Sequence, residues 1–240
     1  MWHRASQAIQ VWAVQLEASE DRFSQCRSWL SSDEAARAAR FHFEEHRRAF
    51  ILGRGVLRAL LGGLVEMPPG RVQFSYGPKG KPSLADSSFP IRFNASNSGN
   101  LAVYAFTEGC DIGIDVEQVR PIPEMEHIAE RFFASAETSE LMALPEPDRA
   151  QAFFNCWTRK EAYIKAVGDG LSVPLDSFRV TLLPGAAAEM LCLGGSIEAA
   201  KGWTLHDFAP APGFVGAIAY AGRSRAIVFN RLVTVDELLA

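Results

Sequence analysis

The chain has 240 residues, 48% of them hydrophobic and 22% charged, with a formal net charge of −4. That is enough for one large domain or two small ones with an ordinary globular balance. The acidic total excludes a general nucleic-acid binder, although a local basic pocket is allowed.

Cys26, Cys110, Cys156 and Cys192 are far apart and form no C-x-x-C pair. Neither a zinc site nor a disulfide framework is expected, and a reducing cytoplasm suits them. Met1-Trp2-His3-Arg4 leads into no long apolar stretch, so no signal peptide is expected. No apolar run approaches bilayer length, and no membrane partner is expected.

In chain order, Val11 to Leu16 alternates as a strand. Ser31-Ser32-Asp33-Glu34 offers an N-cap before a helix from Ala35. A longer helix covers Glu44 to Val65, with Phe50, Leu57, Leu60, Leu61 and Leu64 on its apolar face. Met67-Pro68-Pro69-Gly70 ends it. Val72 to Tyr76 is a short strand. Gly77-Pro78-Lys79-Gly80-Lys81-Pro82 reads as a loop carrying two lysines. Ile91 to Ala95 and Leu101 to Phe106 read as strands joined by a polar turn, Ser96 to Asn100, able to offer donors to an anion.

Gly113-Ile114-Asp115-Val116-Glu117 reads as a strand. Its period of two sends Ile114 and Val116 into a core and aims Asp115 and Glu117 the same way. Two carboxylates on one rigid face repel unless a cation sits between them or the face is solvated. A hard cation such as Mg2+ takes oxygen ligands and commonly brings a phosphate.

Helices follow over Met125 to Phe133, Ser135 to Leu144 with Ser135 as N-cap, and Pro147 to Val167, stopped by Gly168-Asp169-Gly170. Strands are expected at Phe178 to Leu182, Trp203 to Phe208, Val215 to Tyr220 and Ala226 to Phe229. A short helix begins near Thr234. Helices then strands recur twice, which suggests an α+β fold of two similar halves, 1–109 and 110–240, joined near Gly109.

Trp157-Thr158-Arg159-Lys160-Glu161-Ala162-Tyr163-Ile164-Lys165 places Glu161 and Lys165 on one helix face. They form a surface ion pair, or else Glu161 is a third oxygen ligand or general base and Lys165 a phosphate contact. His42-Phe43-Glu44-Glu45-His46 matches H-x-x-E-H, but no further zinc ligand is marked. Arg37, Arg47, Arg48, Lys79, Lys81 and Lys165 are basic positions in an acidic chain. With three carboxylates and the Ser96 turn they suggest a polyphosphate ligand. There is no P-loop and no G-x-G-x-x-G.

These blocks resemble the signature of 4′-phosphopantetheinyl transferases of the two-lobed, surfactin-synthetase-activating class. The resemblance extends to Gly80-Lys81-Pro82, Phe93-Asn94-Ala95-Ser96, Arg131-Phe132-Phe133 and Gly168-Asp169-Gly170-Leu171-Ser172 in the family's order. It implies a pseudo-twofold monomer with its active site between the halves. It also implies transfer of the phosphopantetheine arm of coenzyme A to a serine of an apo acyl or peptidyl carrier protein, with adenosine 3′,5′-bisphosphate released. Asp115, Glu117 and Glu161 match the family's Mg2+-binding acids, and Lys165 matches a pyrophosphate contact. Arg37 matches a basic residue near the 3′-phosphate. Lys79, Gly80 and Lys81 match a coenzyme-binding loop, and Asn94, Ser96 and Asn97 the pyrophosphate-side turn. Glu161 is the first general-base candidate and Glu137 the second. Phe132 and Phe133 are candidates for carrier docking. The family usually has histidine where this chain has Asn97, so weaker coenzyme binding or a flatter pH dependence is expected. Two other classes remain open at this stage: a binding protein without chemistry, and a metal-dependent phosphoanhydride hydrolase.

Overall fold

A computed structural model of the chain describes residues 8–168 and 173–240. The helix-stop stretch Asp169 to Ser172 lies outside the described residues. The elements begin β1 (Ile9–Gln15), α1 (Glu20–Ser28), α2 (Ser32–Ala38), α3 (Glu44–Val65), β2 (Phe74–Tyr76) and β3 (Pro82–Leu84). β4 (Ile91–Ser98), β5 (Leu101–Glu108), β6 (Ile112–Gln118), α4 (Met125–Phe132), α5 (Ser135–Ala143) and α6 (Glu146–Val167) follow. The remainder is β7 (Phe178–Val180), β8 (Met190–Leu193), α7 (Ile197–Ala200), β9 (Trp203–Phe208), β10 (Phe214–Ala221), β11 (Ile227–Phe229), β12 (Val233–Thr234) and α8 (Val235–Leu238).

The fold is α+β. One sheet runs in the order β11-β1-β5-β4, with β12 also paired to β1, and a second runs β6-β10-β9. Strand alternation stacks them. Ile9, Val11 and Ala13 of β1 and Leu101, Val103 and Ala105 of β5 face Ile112, Ile114, Val116, Ile218 and Tyr220 of the second sheet. The other face of the first sheet carries Val14, Ala102, Tyr104 and Phe106, which pack with Ile51, Leu52, Val56 and Leu57 of α3. Ala217 and Ala219 of β10 pack with Phe153, Phe154, Ala162, Tyr163 and Ala166 of α6. The order of layers is therefore helix, sheet, sheet, helix. β5 is buried on both faces, which is why its sequence reads as a continuous apolar run.

Each long helix is tied to the helix before it by a buried ion pair. Arg58 of α3 donates to Glu34 Oε2 at 2.8 Å, and both side chains are 2% exposed. Lys160 of α6 meets Glu137 Oε2 at 2.8 Å, with exposures of 0% and 1%. Removing one partner of such a pair leaves a buried charge and costs about 3–5 kcal/mol. Proline and glycine bound α6: Pro145 is its N-cap, and Gly168 ends it in the left-handed region at φ +83°.

Several expectations are corrected. Ser96 and Asn97 are not turn residues. They continue β4, opposite Val103 and Ala102, and the hairpin turns over Gly99 and Asn100 alone, with Gly99 at φ +57°. The N-cap of α5 is Ala134, whose N–H donates to Glu137 Oε2 at 2.8 Å. The Gly77 to Pro82 segment is a loop as expected, up to Pro82, which begins β3; it closes a β2-β3 hairpin with Tyr76 opposite Pro82. α1 was not expected; it packs on α3 where a Cβ at Gly55 would overlap Cys26. His42 lies outside α3, whose N-cap is Phe43, so His42 and His46 do not share a helix face.

The contact that places α6 is at Gly113. A Cβ there would overlap the Ala162 carbonyl oxygen and the Ala166 nitrogen. Gly113→Ala should therefore lower the melting temperature by roughly 10 °C, on the order of 3 kcal/mol. Thermal unfolding followed by circular dichroism would measure it; an unchanged melting temperature would mean that helix and strand backbones need not touch.

Candidate active site

Asp115 and Glu117 lie on β6, on the face opposite Ile114 and Val116, as the alternation predicts. α6 crosses that face at Gly113 and brings Glu161 and Lys165 with it. Lys165 Nζ donates to Asp115 Oδ1 at 2.6 Å and to Ser96 Oγ at 2.9 Å. Ser96 Oγ in turn donates to the same carboxylate oxygen at 2.8 Å. The other oxygen, Oδ2, is buried and has no hydrogen-bond partner among the described residues. A buried carboxylate oxygen without a donor is costly, and it is an open valence for a cation.

Glu117 accepts a hydrogen bond from Ser98 Oγ at 2.6 Å, on Oε2. Glu161 is partly buried close by. Burial, and then the charges of Asp115 and Glu117, raise its carboxyl above the usual range, while Lys165 pulls it back. That electrostatic coupling places the three acids in one neighbourhood. No three Asp, Glu, His or Cys side chains among the described residues are drawn together tightly enough to hold a metal ion as they stand. Lys165 supplies the positive charge at Asp115 instead.

Two adjoining grooves open beside this cluster and share Gly80, Asn94 and Ala95. One, of about 230 Å³, is lined by Lys79, Lys81, Glu161, Ile164 and Lys165. The other, of about 250 Å³, is lined by Arg37, Phe50, Arg54, Tyr76, Ser96, Asn97 and Tyr104. Arg37 lies 5.2 Å over the Phe50 ring, and Arg54 donates to the Tyr76 hydroxyl at 2.8 Å. Together the grooves have a basic wall, an aromatic floor and an acidic end.

The structure thus brings together Asp115, Glu117, Glu161, Lys165, Ser96, Asn97, Lys79, Gly80 and Arg37. Two other residues in this region have structural duties. Asn94 Oδ1 accepts the Ile114 N–H at 3.0 Å. Lys81 Nζ donates to the carbonyls of Ala166 at 2.8 Å and Ile112 at 3.2 Å, and burial lowers its pKa. Lys81 is therefore a strap from the β2-β3 hairpin to the end of α6.

Glu137 is not brought to the cluster. Its Oε1 accepts from Val180 N–H at 2.7 Å, and its Oε2 takes Ala134 N–H and Lys160. It is 1% exposed, so the structure places this expected base candidate in the core of the second half and not beside Asp115, Glu117 and Glu161. Phe133 is 2% exposed and stacks on Phe153 with centroids 5.1 Å apart. Phe132 packs edge-on against Trp157 at 6.0 Å. Phe133 is thus a core residue, and Phe132 is half-buried. Ser98, Phe50, Arg54 and Tyr76 are not among the site residues expected one by one from the sequence, where Phe50 reads as apolar helix face and Ser98 only as part of a polar turn. The alternation of Ser96 and Ser98 could have marked Ser98, had the segment been read as strand.

Comparison with known proteins supplies the family. Residues 111–218 match the 4′-phosphopantetheinyl transferase superfamily model, and residues 14–108 match that of the 4′-phosphopantetheinyl transferase N-terminal region. The chain is 40% identical over 219 residues to the 4′-phosphopantetheinyl transferase HetI of Nostoc sp., covering 90% of this chain and 89% of that one. It is 34% identical over 164 residues to the 4′-phosphopantetheinyl transferase Sfp of Bacillus subtilis, covering 68% and 71%. It is 30% identical over 182 residues to the L-aminoadipate-semialdehyde dehydrogenase-phosphopantetheinyl transferase of Homo sapiens, covering 66% and 59%. Identity sustained along nearly the whole of one relative, with both segments matched, means that this chain belongs to the 4′-phosphopantetheinyl transferase family of enzymes.

Proposed function

We propose that this enzyme moves the phosphopantetheine arm of coenzyme A onto a serine of an apo acyl or peptidyl carrier protein, releasing adenosine 3′,5′-bisphosphate. The observation that carries the reading is the orphaned Asp115 Oδ2 on the carboxylate that Lys165 holds, with Lys165, Glu161 and Lys79 lining one groove and Arg37 and Arg54 the groove adjoining it. Such a site suits a ligand with a pyrophosphate and a further phosphate on a planar nucleoside.

The donor chemistry of the acids, carboxylates with one buried oxygen lacking a donor among the described residues, suits a hard divalent cation, which would draw them closer than they stand. Asp115, through its free Oδ2, with Glu117 and Glu161, would hold Mg2+. When bound, it would offset pyrophosphate charge and favour charge developing on the leaving oxygen. Lys165 and Lys79 hold phosphate oxygens by direct charge. Ser96 holds Asp115 in place. Glu161, its carboxyl raised toward neutrality, takes the proton of the carrier serine as the serine oxygen attacks the β-phosphorus. The phosphoanhydride bond breaks as the new phosphoester forms, so no covalent enzyme intermediate is needed.

The halves 1–109 and 110–240 are proposed as a pseudo-twofold pair with the site in the cleft between them, acting as a monomer. Supporting this, α3 and α6 have the same length, 22 residues, and Arg58 and Lys160 occupy equivalent positions in them. Each pairs with the glutamate that closes the start of the preceding helix. A cytoplasmic setting agrees with four free cysteines. No helix among the described residues is long and apolar enough to cross a membrane.

With Mg2+, coenzyme A and an apo carrier, the carrier should gain the phosphopantetheine mass in a mass spectrum. Release of free phosphopantetheine without a carrier would instead mark a hydrolase, and full turnover in excess chelator would remove the metal. Glu161→Gln should cut turnover by roughly two to four orders of magnitude. Burial first, and then Asp115 and Glu117, raise the folded Glu161 carboxyl above its unfolded value, so stability is lost as pH rises through that interval and the deficit persists at higher pH. Glu161→Gln should accordingly melt higher than the wild type in metal-free buffer at pH 7, and a lower melting temperature would contradict that charge balance.

Asn97 is exposed in the basic groove and carries no charge. Asn97→His should bind coenzyme A more tightly at pH 6 than at pH 8, as an imidazole protonates near pH ~6.5. Equal affinity at both pH values would mean that this position does not face a coenzyme phosphate.

A further inference from the structure

β4 and β6 lie side by side, yet each is hydrogen-bonded along its backbone to a different sheet. Side chains bridge the gap, and they do so in register. Asn94 accepts from Ile114 N–H, Ser96 donates to Asp115, and Ser98 donates to Glu117. Residues 94, 96 and 98 share one face of β4 by strand alternation. The third rung does two things: Ser98 Oγ accepts a β6 backbone N–H, that of Gln118, as Asn94 accepts that of Ile114, and it also donates to a carboxylate of the site.

We infer that Ser98 is a positioning residue for metal binding, holding Glu117 so that Oε2 is committed to the hydroxyl and Oε1 is left as the ligand oxygen. The inference rests on the reading of Asp115, Glu117 and Glu161 as the cation site.

Ser98 is 8% exposed, and its hydroxyl direction is set from both sides. It accepts the Gln118 N–H at 3.2 Å, so its single proton is directed to Glu117 Oε2 at 2.6 Å. Hydrogen bonds to a carboxylate are the short, strong kind. Glu117 has one competing partner: Arg120 Nη1 lies 3.7 Å from the same oxygen, and the Arg120 side chain is 58% exposed. Without Ser98 the flexible glutamate side chain is free to follow Arg120 toward solvent and away from Asp115. Groups that orient ligating carboxylates commonly change metal affinity ten- to a hundredfold when removed.

The test is Mg2+ titration into the full chain without coenzyme, read by calorimetry and by the metal-induced rise in melting temperature. Ser98→Ala should weaken Mg2+ binding about tenfold. Ser98→Thr, which keeps the hydroxyl, should restore it. In the transfer assay Ser98→Ala should need about tenfold more Mg2+ for half-maximal rate, with kcat recovered at saturating Mg2+. Ser98→Ala combined with Glu117→Gln should bind no more weakly than Glu117→Gln alone, because the serine acts through the glutamate. Wild-type affinity in Ser98→Ala, additive losses in the double variant, or a Thr variant as weak as the Ala variant would each overturn the positioning role alone. A wild-type protein that takes up no Mg2+ would overturn the cation-site reading and this inference with it.

Discussion

The site depends on one close approach. α6 lies against the backbone of β6 at Gly113, where any side chain would overlap the helix. Because the next positions on that face are Asp115 and Glu117, the helix that rests on Gly113 necessarily lies over two carboxylates. The residues it presents there, Glu161 and Lys165, are one turn apart. The geometry of the acids thus follows from a missing side chain two residues earlier, and the hydrophobic alternation of β6 fixes which face is involved.

Buried charge is handled in two ways within the molecule. In the scaffold each buried acid oxygen faces a charge or a donor: Glu34 Oε2 meets Arg58 and Oε1 lies 3.0 Å from Arg54 Nε, and Glu137 meets Lys160 and two backbone N–H groups. At the site it is left incomplete. Asp115 has one oxygen doubly hydrogen-bonded and the other without a donor among the described residues, and the Glu161 carboxyl is raised by burial first and then by Asp115 and Glu117. Satisfied pairs hold helices in place; an unsatisfied group retains the capacity to react to a ligand.

The alternation over Gly113 to Glu117 and the long amphipathic helices were legible in the sequence because they repeat a simple period over many residues. The acids, Lys165 and the basic groove residues followed from chemistry and resemblance. What was hidden depended on partners remote in sequence. Lys81 and Lys79 look alike in a loop, but only Lys81 reaches the carbonyls of Ala166 and Ile112. Glu137 looks like any helix-start acid until Lys160 is brought against it. Ser96 to Ser98 look like a turn because their residues are small and polar. They form strand because β5 offers a backbone ladder beside them, and tertiary pairing outweighs local preference.

The pairing of β11 and β12 with β1 has a consequence for how the chain is made. Ile9 sits opposite Ile227 and Gln15 opposite Thr234, in parallel register. During synthesis β1 can pair with β5 early, but its second edge stays open until Ile227 to Thr234 have left the ribosome. β1 is thus enclosed on both edges only after β11 and β12, made much later, have followed it. For that interval a row of unpaired backbone groups faces solvent, flanked by Val11 and Trp12, and is exposed to pairing with another nascent chain. Assembly of the first sheet is therefore a long-range, late event, even though the residues that begin it are near the start of the chain.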